Sequence, residues 1–208
     1  MSKDIQFRIA KPSDARQIAM IQNSIRESNP IGIFSKMDLC FLIKYYKIIL
    51  NDPYEVVICA ENENREIVGF NSATLDASWQ MKTLRRHWLS LGIASIPSII
   101  KKPHIIRLLF QRFKSTSESS TQKFVYGKGA RGEFWAWKKS DSNSLDAINL
   151  SLKSNKIMAI LGVSYIYIEV DLDNKNVLAY HKAMKATIEK IIELPDGRKR
   201  ALLKKPVK

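Results

Sequence analysis

Residues 161–187 read LGVSYIYIEVDLDNKNVLAYHKAMKAT, and this stretch decides the fold class of the chain. Gly162 follows a long apolar segment and is typical of a helix end. Residues 165–170 are mostly β-branched or aromatic and predict a strand, and Asn174 is a good first cap for a helix over 174–185. A further strand is predicted at 187–194. The stretch therefore predicts a strand, a short helix and a second strand in direct succession.

The rest of the chain extends this unit into a mixed α/β domain. Alternating Ile5, Phe7 and Ile9 predict a first strand. The other predicted elements are strands at 55–60, 66–75, 132–137 and 200–203, and helices around 18–25, 39–49 and 145–161. We expect a single domain over residues 1–208, with helices on both faces of a mixed sheet.

A basic helical insertion is predicted between the third and fourth strands, at residues 79–121 including a Ser/Thr-rich linker. Two amphipathic helices are expected there, with the break near Ile96 and Pro97. The net charge of +14 arises from 34 Lys and Arg against 20 Asp and Glu. Residues 81–114 hold eight basic residues and no acid, and residues 198–208 hold six and no acid. Such patches attract phosphate-bearing molecules, nucleic acid or an anionic membrane, and composition does not choose between them.

Cysteine usage and hydropathy exclude several classes of protein. Cys40 and Cys59 are isolated in the sequence, so neither a disulfide framework nor a metal site is predicted. The first residues lack the apolar run of a signal peptide, and the longest uncharged apolar run, 88–100, is too short to span a bilayer. We expect a cytoplasmic protein, either soluble or peripheral to a membrane.

The order of elements resembles that of the GNAT superfamily of N-acetyltransferases over most of the chain. The resemblance is carried by the stretch 161–187, by Asn174, by the pair Tyr180-His181, and by the ending ELPDGRKRALL at 193–203. It implies a mixed, mostly antiparallel sheet flanked by helices, interrupted by the helical insertion between the third and fourth strands. It also implies transfer of an acetyl group from acetyl-CoA, or of another acyl group from its CoA ester, to a primary amine.

The family holds the CoA pyrophosphate on a loop that enters a helix, and the resemblance places that loop at 142–147. Ser142, Asn143 and Ser144 would contribute hydroxyl groups and a helix cap, while Leu145 replaces the first glycine of the family pattern and Ala147 fits the second. The glycine-containing run 127–132 also offers an anion site, but it leads into a strand and is better interpreted as a lead-in.

The pantetheine arm of the cofactor would, by the same resemblance, pair with backbone groups of a strand. The residues implied are Ala136, Trp137 and Lys138, and Asn174 would contact the arm from the neighbouring strand end. Asn174 could equally serve as a helix cap, and one side chain could do both.

The resemblance also implies an acid and a base. His181 takes the position of the family's acid for the departing thiolate, with Tyr180 as the substitute if the helix is rotated. Glu133 is the candidate base, and Asp76 and Glu169 are its rivals. Strand alternation would place Glu133 with Trp135 and Trp137 on one face of the sheet.

The acceptor and the role of the insertion stay open at this point. An insertion of this kind is expected to cover the acceptor side of the cleft, where it suits a phosphate-bearing amino sugar. A helix on an anionic membrane surface explains the same residues nearly as well. Nucleic-acid binding is not expected, because no groove-binding or stacking module is recognised. The alternative function is a non-catalytic GNAT-fold binding module, and the sequence predicts no oligomeric state.

Overall fold

A computed structural model describes residues 5–26, 33–107, 109–110, 127–138, 144–194 and 197–207. The strands are β1 (Gln6–Ile9), β2 (Glu55–Glu61), β3 (Ile67–Thr74), β4 (Arg131–Trp137), β5 (Tyr165–Asp171), β6 (Thr187–Glu193) and β7 (Lys199–Pro206). The helices are α1 (Ala15–Ser24), α2 (Ile33–Lys36), α3 (Leu39–Ile49), α4 (Ala77–Arg86), α5 (Trp88–Lys101), α6 (Ser144–Ile160) and α7 (Lys175–Ala183). None of the helices in these ranges has the length and apolarity needed to cross a membrane.

The seven strands form one sheet in the order β1-β2-β3-β4-β5-β7-β6. Every neighbouring pair is antiparallel except β4 and β5, which run parallel. The expected mixed, mostly antiparallel sheet is confirmed, and so is the helical insertion between the third and fourth strands. β7 lies between β5 and β6, because the final hairpin folds back onto the edge of β5.

Helices cover the sheet on both faces, as the alternation along β2 requires. Val57 and Cys59 are buried against α1, α3 and α5, whereas Val56, Ile58 and Ala60 are buried in the core that contains α6. These two sides are called the α3 face and the α6 face below. Gly162, the second residue after α6, has φ +84, which confirms the predicted helix end.

The insertion breaks at a different residue from the one expected. α4 ends at Arg86 and α5 begins at Trp88, so the break is at His87, and Pro97 lies inside α5. Pro97 lacks the N–H that would bond the carbonyl of Ile93, four residues earlier. Ile93 is 68% exposed, so water can reach that turn and the helix continues through the proline. The predicted linker at 115–121 lies outside the described residues.

Candidate active site

The parallel strands β4 and β5 separate soon after they meet. Their register in the described residues consists of one pair, Arg131 with Tyr167, and the Tyr167 N–H donates to the Ala130 carbonyl at 3.0 Å. From Gly132 to Trp137, β4 keeps only its pairing with β3. The space between the strands beyond Arg131 is called the β4–β5 gap, and there the edge of β4 opens inside the sheet.

Backbone groups of β4 point into this gap. The Lys138 N–H donates to the Val68 carbonyl of β3 at 2.7 Å, so it is directed away from the gap. Because backbone groups alternate along a strand, the N–H and carbonyl of Trp137 point to the opposite side. Of the three backbone positions implied by the resemblance, Trp137 has this orientation, while Ala136 and Lys138 face β3.

Gly69 on β3 makes room for the Trp137 ring. A Cβ atom at Gly69 would lie 2.3 Å from Cε3 of that ring, closer than any real side chain could approach. An aromatic ring cannot fold away as a flexible chain end could. The glycine therefore fixes the position of the last residue of β4 beside the gap.

Trp135 links the three elements that surround the gap on the α6 face. Its indole Nε1 donates to the Ala147 carbonyl in the first turn of α6 at 3.2 Å. Its ring packs on Tyr180 of α7, with the centroids 4.9 Å apart. The Tyr180 hydroxyl is buried and has no hydrogen-bond partner among the described residues. A buried phenol without a partner is costly and therefore points to a ligand or a functional role.

His181, the predicted acid, is turned into the interior. It is 6% exposed, and its Nδ1 meets no hydrogen-bond partner within the described part of the chain. Burial and the charge of Lys205 lower the pKa of His181 to about 4. Burial likewise lowers the pKa of the Lys205 amine to about 8. At neutral pH the imidazole is therefore uncharged, which is the wrong form for an acid.

A bulge in β4 moves Glu133 to the other face of the sheet. Ser72 pairs with Phe134 and Ala73 with Gly132, so Glu133 is the extra residue between two register positions. The expectation that Glu133 shares a face with Trp135 and Trp137 is wrong, because strict alternation fails at a bulge. The Glu133 side chain instead lies on the α3 face.

On that face Glu133 belongs to a buried polar cluster. The Arg131 guanidinium contacts the Glu133 carboxylate at 2.5 Å and donates to Oε1 of Gln80, on α4, at 2.7 Å. Burial alone would lower the pKa of Arg131, but the charges of Glu133 and Glu169 outweigh it and raise that pKa. The carboxylate is thus held by a fixed cation whose other end is anchored on the insertion.

Glu55 is a member of this cluster that the sequence analysis missed. Its carboxyl oxygens are sealed from solvent and find no hydrogen-bond partner of good geometry in the described residues. Burial, aided by the charge of Glu133, raises the pKa of Glu55 to about 8 against weaker opposing effects of Thr74 and Gln80. The sequence contains an indication of this position. Glu55 is two and four residues before Val57 and Cys59, so strand alternation places it on the same buried face.

Glu55 should make stability fall as the pH rises. In the folded state its proton is retained up to about pH 8, whereas the unfolded chain loses it near 4.5. The stabilising protonated form is therefore fully present below 4.5 and is lost between 4.5 and about 8. We expect Glu55→Gln to flatten this fall, so that the variant gains melting temperature over the wild type at pH 8 but not at pH 4.5.

Differential scanning fluorimetry measures the melting temperatures of both proteins across this pH range, and the effect of Glu55 is the difference between them. The contribution of His181, which increases stability as the pH rises, is present in both proteins and cancels. Glu63→Gln, in the polar turn after β2, is the matched control and should parallel the wild type. A Glu55→Gln curve that runs parallel to the wild type would show that Glu55 titrates normally.

The remaining predicted residues have mixed outcomes. Asn174 caps α7, its side chain accepting from the Val177 N–H at 3.3 Å, and Ser144 is the first residue of α6. Ser142 and Asn143 lie outside the described residues. Of the rival bases, Asp76 is the cap of α4, and Glu169 pairs with Arg200 at 3.4 Å.

Comparison with known proteins finds similarity in structure alone. No protein-family model matches the chain. No curated protein matches it in sequence. A solved structure from Desulfovibrio desulfuricans, described as an acetyltransferase of the GNAT family, is similar over 99% of this chain and 100% of its own, with a TM-score of 0.61 and 9% identity. The chain has the GNAT fold.

Two further structures with this fold are of proteins described with an activity or a bound ligand. NAA60 from Arabidopsis thaliana, solved with a bisubstrate analogue, shares 16% identity over 98% of each chain, with a TM-score of 0.57. The spermidine/spermine N-acetyltransferase SpeG from Vibrio cholerae shares 11% identity over 99% of this chain and 94% of its own, with a TM-score of 0.55. The Arabidopsis protein was also solved with acetyl-CoA.

Proposed function

We propose that the chain is an acyl-CoA-dependent N-acetyltransferase that acts on the primary amine of a small molecule. The observation that carries this proposal is the buried Tyr180 hydroxyl, which has no hydrogen-bond partner among the described residues and lies beside Trp135 at the β4–β5 gap. Structures with the same fold are described as acetyltransferases, including one that acts on spermidine and one solved with acetyl-CoA. Both the fold and the open strand edge support the assignment.

The residues around the gap fit acetyl-CoA. The backbone N–H and carbonyl of Trp137 are directed toward the gap, where an extended amide-containing arm would lie beside β4 in the manner of an added strand. The N-terminus of α6, a helix of 17 residues, offers the positive end of the helix dipole to phosphate. The Asn174 side-chain oxygen accepts the Val177 N–H, and the side-chain amide group would contact the arm. Acetyl-CoA, when bound, supplies the acyl group as an activated thioester.

Two side chains on opposite faces of the sheet would handle the protons. Glu133, on the α3 face, accepts the proton of the attacking amine, directly or through water, and Arg131 holds its carboxylate in place. Tyr180, on the α6 face, donates its phenolic proton to the departing sulfur. His181 is replaced in that role, because its uncharged imidazole is buried against Lys205.

The acceptor should enter from the α3 face. Aromatic rings of α2, α3 and β4 lie there, with Phe34 4.9 Å from Phe134 and 4.8 Å from Tyr45 between ring centroids. The Glu133 carboxylate suits an amine, and the cations of the insertion suit an anionic group on the same molecule. We propose a phosphate-bearing amino sugar as the acceptor class.

Acetyl-CoA turnover with a panel of amines tests the function. Free CoA is measured with a thiol reagent while amino sugars, their phosphates, polyamines and peptide amines are supplied in turn, and calorimetry measures acetyl-CoA binding separately. We expect saturable binding and CoA release with at least one amine, highest for a phosphorylated amino sugar. Binding without release for any amine class would contradict the transferase assignment.

A non-catalytic GNAT-fold binding module is the second candidate, and Leu145 favours it. This residue replaces a family glycine in the first turn of α6, and its side chain is 68% exposed at the helix end proposed for phosphate. Calorimetry with acetyl-CoA and with CoA decides between the two. Absence of heat with both at millimolar concentration would favour the module.

We also propose a cytoplasmic location, which the thiol chemistry supports. Cys40 is free and exposed, and Cys59 is free and buried. Burial raises the pKa of the Cys59 thiol to about 12, which keeps it unreactive. An exposed free thiol persists best in a reducing compartment.

A further inference from the structure

Helix α5 is oriented with its large apolar side chains outward. Ala94, Ser95 and Ser98 are buried on its inner side, 8%, 2% and 2% exposed, and the Ser98 hydroxyl accepts the Asp38 N–H at 2.8 Å. The outer side consists of large apolar residues with exposed fractions between 49% and 74%: Leu89, Ile93, Ile96 and Ile100. A surface helix normally buries its large apolar residues and exposes its small polar ones. In α5 Leu91 packs on the core, but four large apolar residues are exposed while Ala94, Ser95 and Ser98 are buried.

The four outer residues form one continuous stripe. Their spacing of four, three and four residues places them on a single helix face, and the stripe is about 16 Å long at 1.5 Å per residue. Two further large apolar residues of the insertion are exposed, Trp88 at the start of α5, 57% exposed, and Ile106 after it, 59% exposed. Single exposed apolar residues are ordinary, whereas a contiguous patch of this kind marks an interaction site.

Positive charge surrounds the stripe. Among the described residues 81–107, the basic side chains are Lys82, Arg85, Arg86, Lys101, Lys102 and Arg107, and none is acidic. Arg86 lies over the Trp79 ring at 5.5 Å, and Lys101 contacts Asp38 at 3.2 Å. Lys102 and Arg107 are exposed next to the C-terminal end of the stripe.

We infer that the outer stripe of α5 docks on the surface of an anionic lipid bilayer, with α5 parallel to the membrane. The apolar side chains enter the boundary between headgroups and acyl chains, and the cations contact lipid phosphates and anionic headgroups. The free energy gained from apolar burial is modest, and so is that from charge attraction, but the two contributions add in interfacial helices. The inference does not depend on the proposed acyl-transfer steps, because neither the β4–β5 gap nor Glu133 takes part, although the cations of the insertion are also proposed to bind the acceptor.

A second copy of the chain is a poorer occupant of the same face. Two such faces brought together would place like charges, among them Lys102 and Arg107, near one another, which repels. An anionic bilayer satisfies both the apolar stripe and its charged border. The structure therefore favours lipid over self-association.

Vesicle co-sedimentation of the full chain tests the inference. Vesicles of phosphatidylcholine alone are compared with vesicles containing 30 mol% phosphatidylglycerol. We expect binding to the anionic vesicles that weakens with salt, and a blue shift of tryptophan emission that is lost in Trp88→Phe. The double variant Ile93→Ser/Ile100→Ser should weaken binding about tenfold or more, and Lys102→Gln/Arg107→Gln should weaken it about fivefold.

Matched variants on α6 keep the test specific. Ile160→Ser/Leu161→Ser removes two apolar side chains that are 73% and 51% exposed, and Lys153→Gln/Lys156→Gln removes two exposed cations, both far in sequence from α5. These should bind as the wild type does. Because all substituted side chains are exposed, melting temperatures should stay within a few degrees.

Four outcomes would overturn the inference. The first is no binding to anionic vesicles at low salt, and the second is equal loss in the α5 and α6 variants. The third is equal binding to neutral and anionic vesicles, which would remove the charge component. The fourth is a dimer in analytical ultracentrifugation that Ile93→Ser/Ile100→Ser abolishes while vesicle binding is absent, which would assign the stripe to a second copy.

Discussion

Tyr180→Phe should lower kcat by about 100-fold or more while leaving the affinity for acetyl-CoA nearly unchanged. The substitution removes only the hydroxyl, which is buried, so no hydrogen bond to a described residue is lost. The ring keeps its contact with Trp135 at 4.9 Å between centroids. The loss of rate corresponds to about 2.7 kcal/mol of transition-state stabilisation. Steady-state kinetics and calorimetry measure the two quantities separately.

Two controls accompany this variant. Tyr165→Phe makes the same chemical change at a tyrosine that is 51% exposed on β5, and it should keep wild-type turnover. His181→Asn should lose stability but retain most of its kcat at a temperature where it is folded, because the imidazole is uncharged. If Tyr180→Phe keeps normal turnover while His181→Asn is inactive although folded, the acid is His181 after all.

Local sequence signals predict much of the fold, since each depends on a few neighbouring residues. The sequence allows Asn174 to be a helix cap, a contact to the pantetheine arm or both, and its side chain does accept the Val177 N–H. Gly162 was identified as a helix end, and it has the positive φ that such an end uses. Such signals act over one helical turn, so a single sequence contains them in full.

Features set by tertiary contacts were not predicted. The bulge at Glu133 depends on the register between β3 and β4, where Ser72 pairs with Phe134, 62 positions later in the sequence. The alternation of side chains along one strand cannot detect such an extra residue. Pro97 is tolerated in α5 because its turn faces water, which depends on how α5 packs on α3. The orientation of α7 turns His181 inward and leaves Tyr180 beside the gap. The sequence alone does not determine which of these two neighbouring residues faces the gap.

Glu133→Gln should lower kcat/KM by about 100-fold near neutral pH. It should also remove the acidic limb of the pH profile, which is the fall of kcat/KM toward low pH. A glutamine cannot accept the proton of the amine, although it fills the same volume and can still accept a hydrogen bond from Arg131. The side chain is 11% exposed and contacts Arg131 at 2.5 Å, so its loss of charge also leaves a buried guanidinium poorly neutralised. We therefore expect a stability loss of up to about 3–5 kcal/mol as well.

The two effects are separable, because a base and a structural partner differ in their pH dependence. If Glu133 only held Arg131 in place, kcat/KM would fall in proportion to the folded fraction and the pH profile would keep its shape. Glu61→Gln is the matched control, since Glu61 is also a strand glutamate bound to an arginine, Arg8, at 2.6 Å, and it lies outside the cluster. It should lose stability without a change in the pH profile. A Glu133→Gln enzyme that is folded and retains the wild-type acidic limb would assign the base to another group, and Glu55 is then the nearest carboxyl to test.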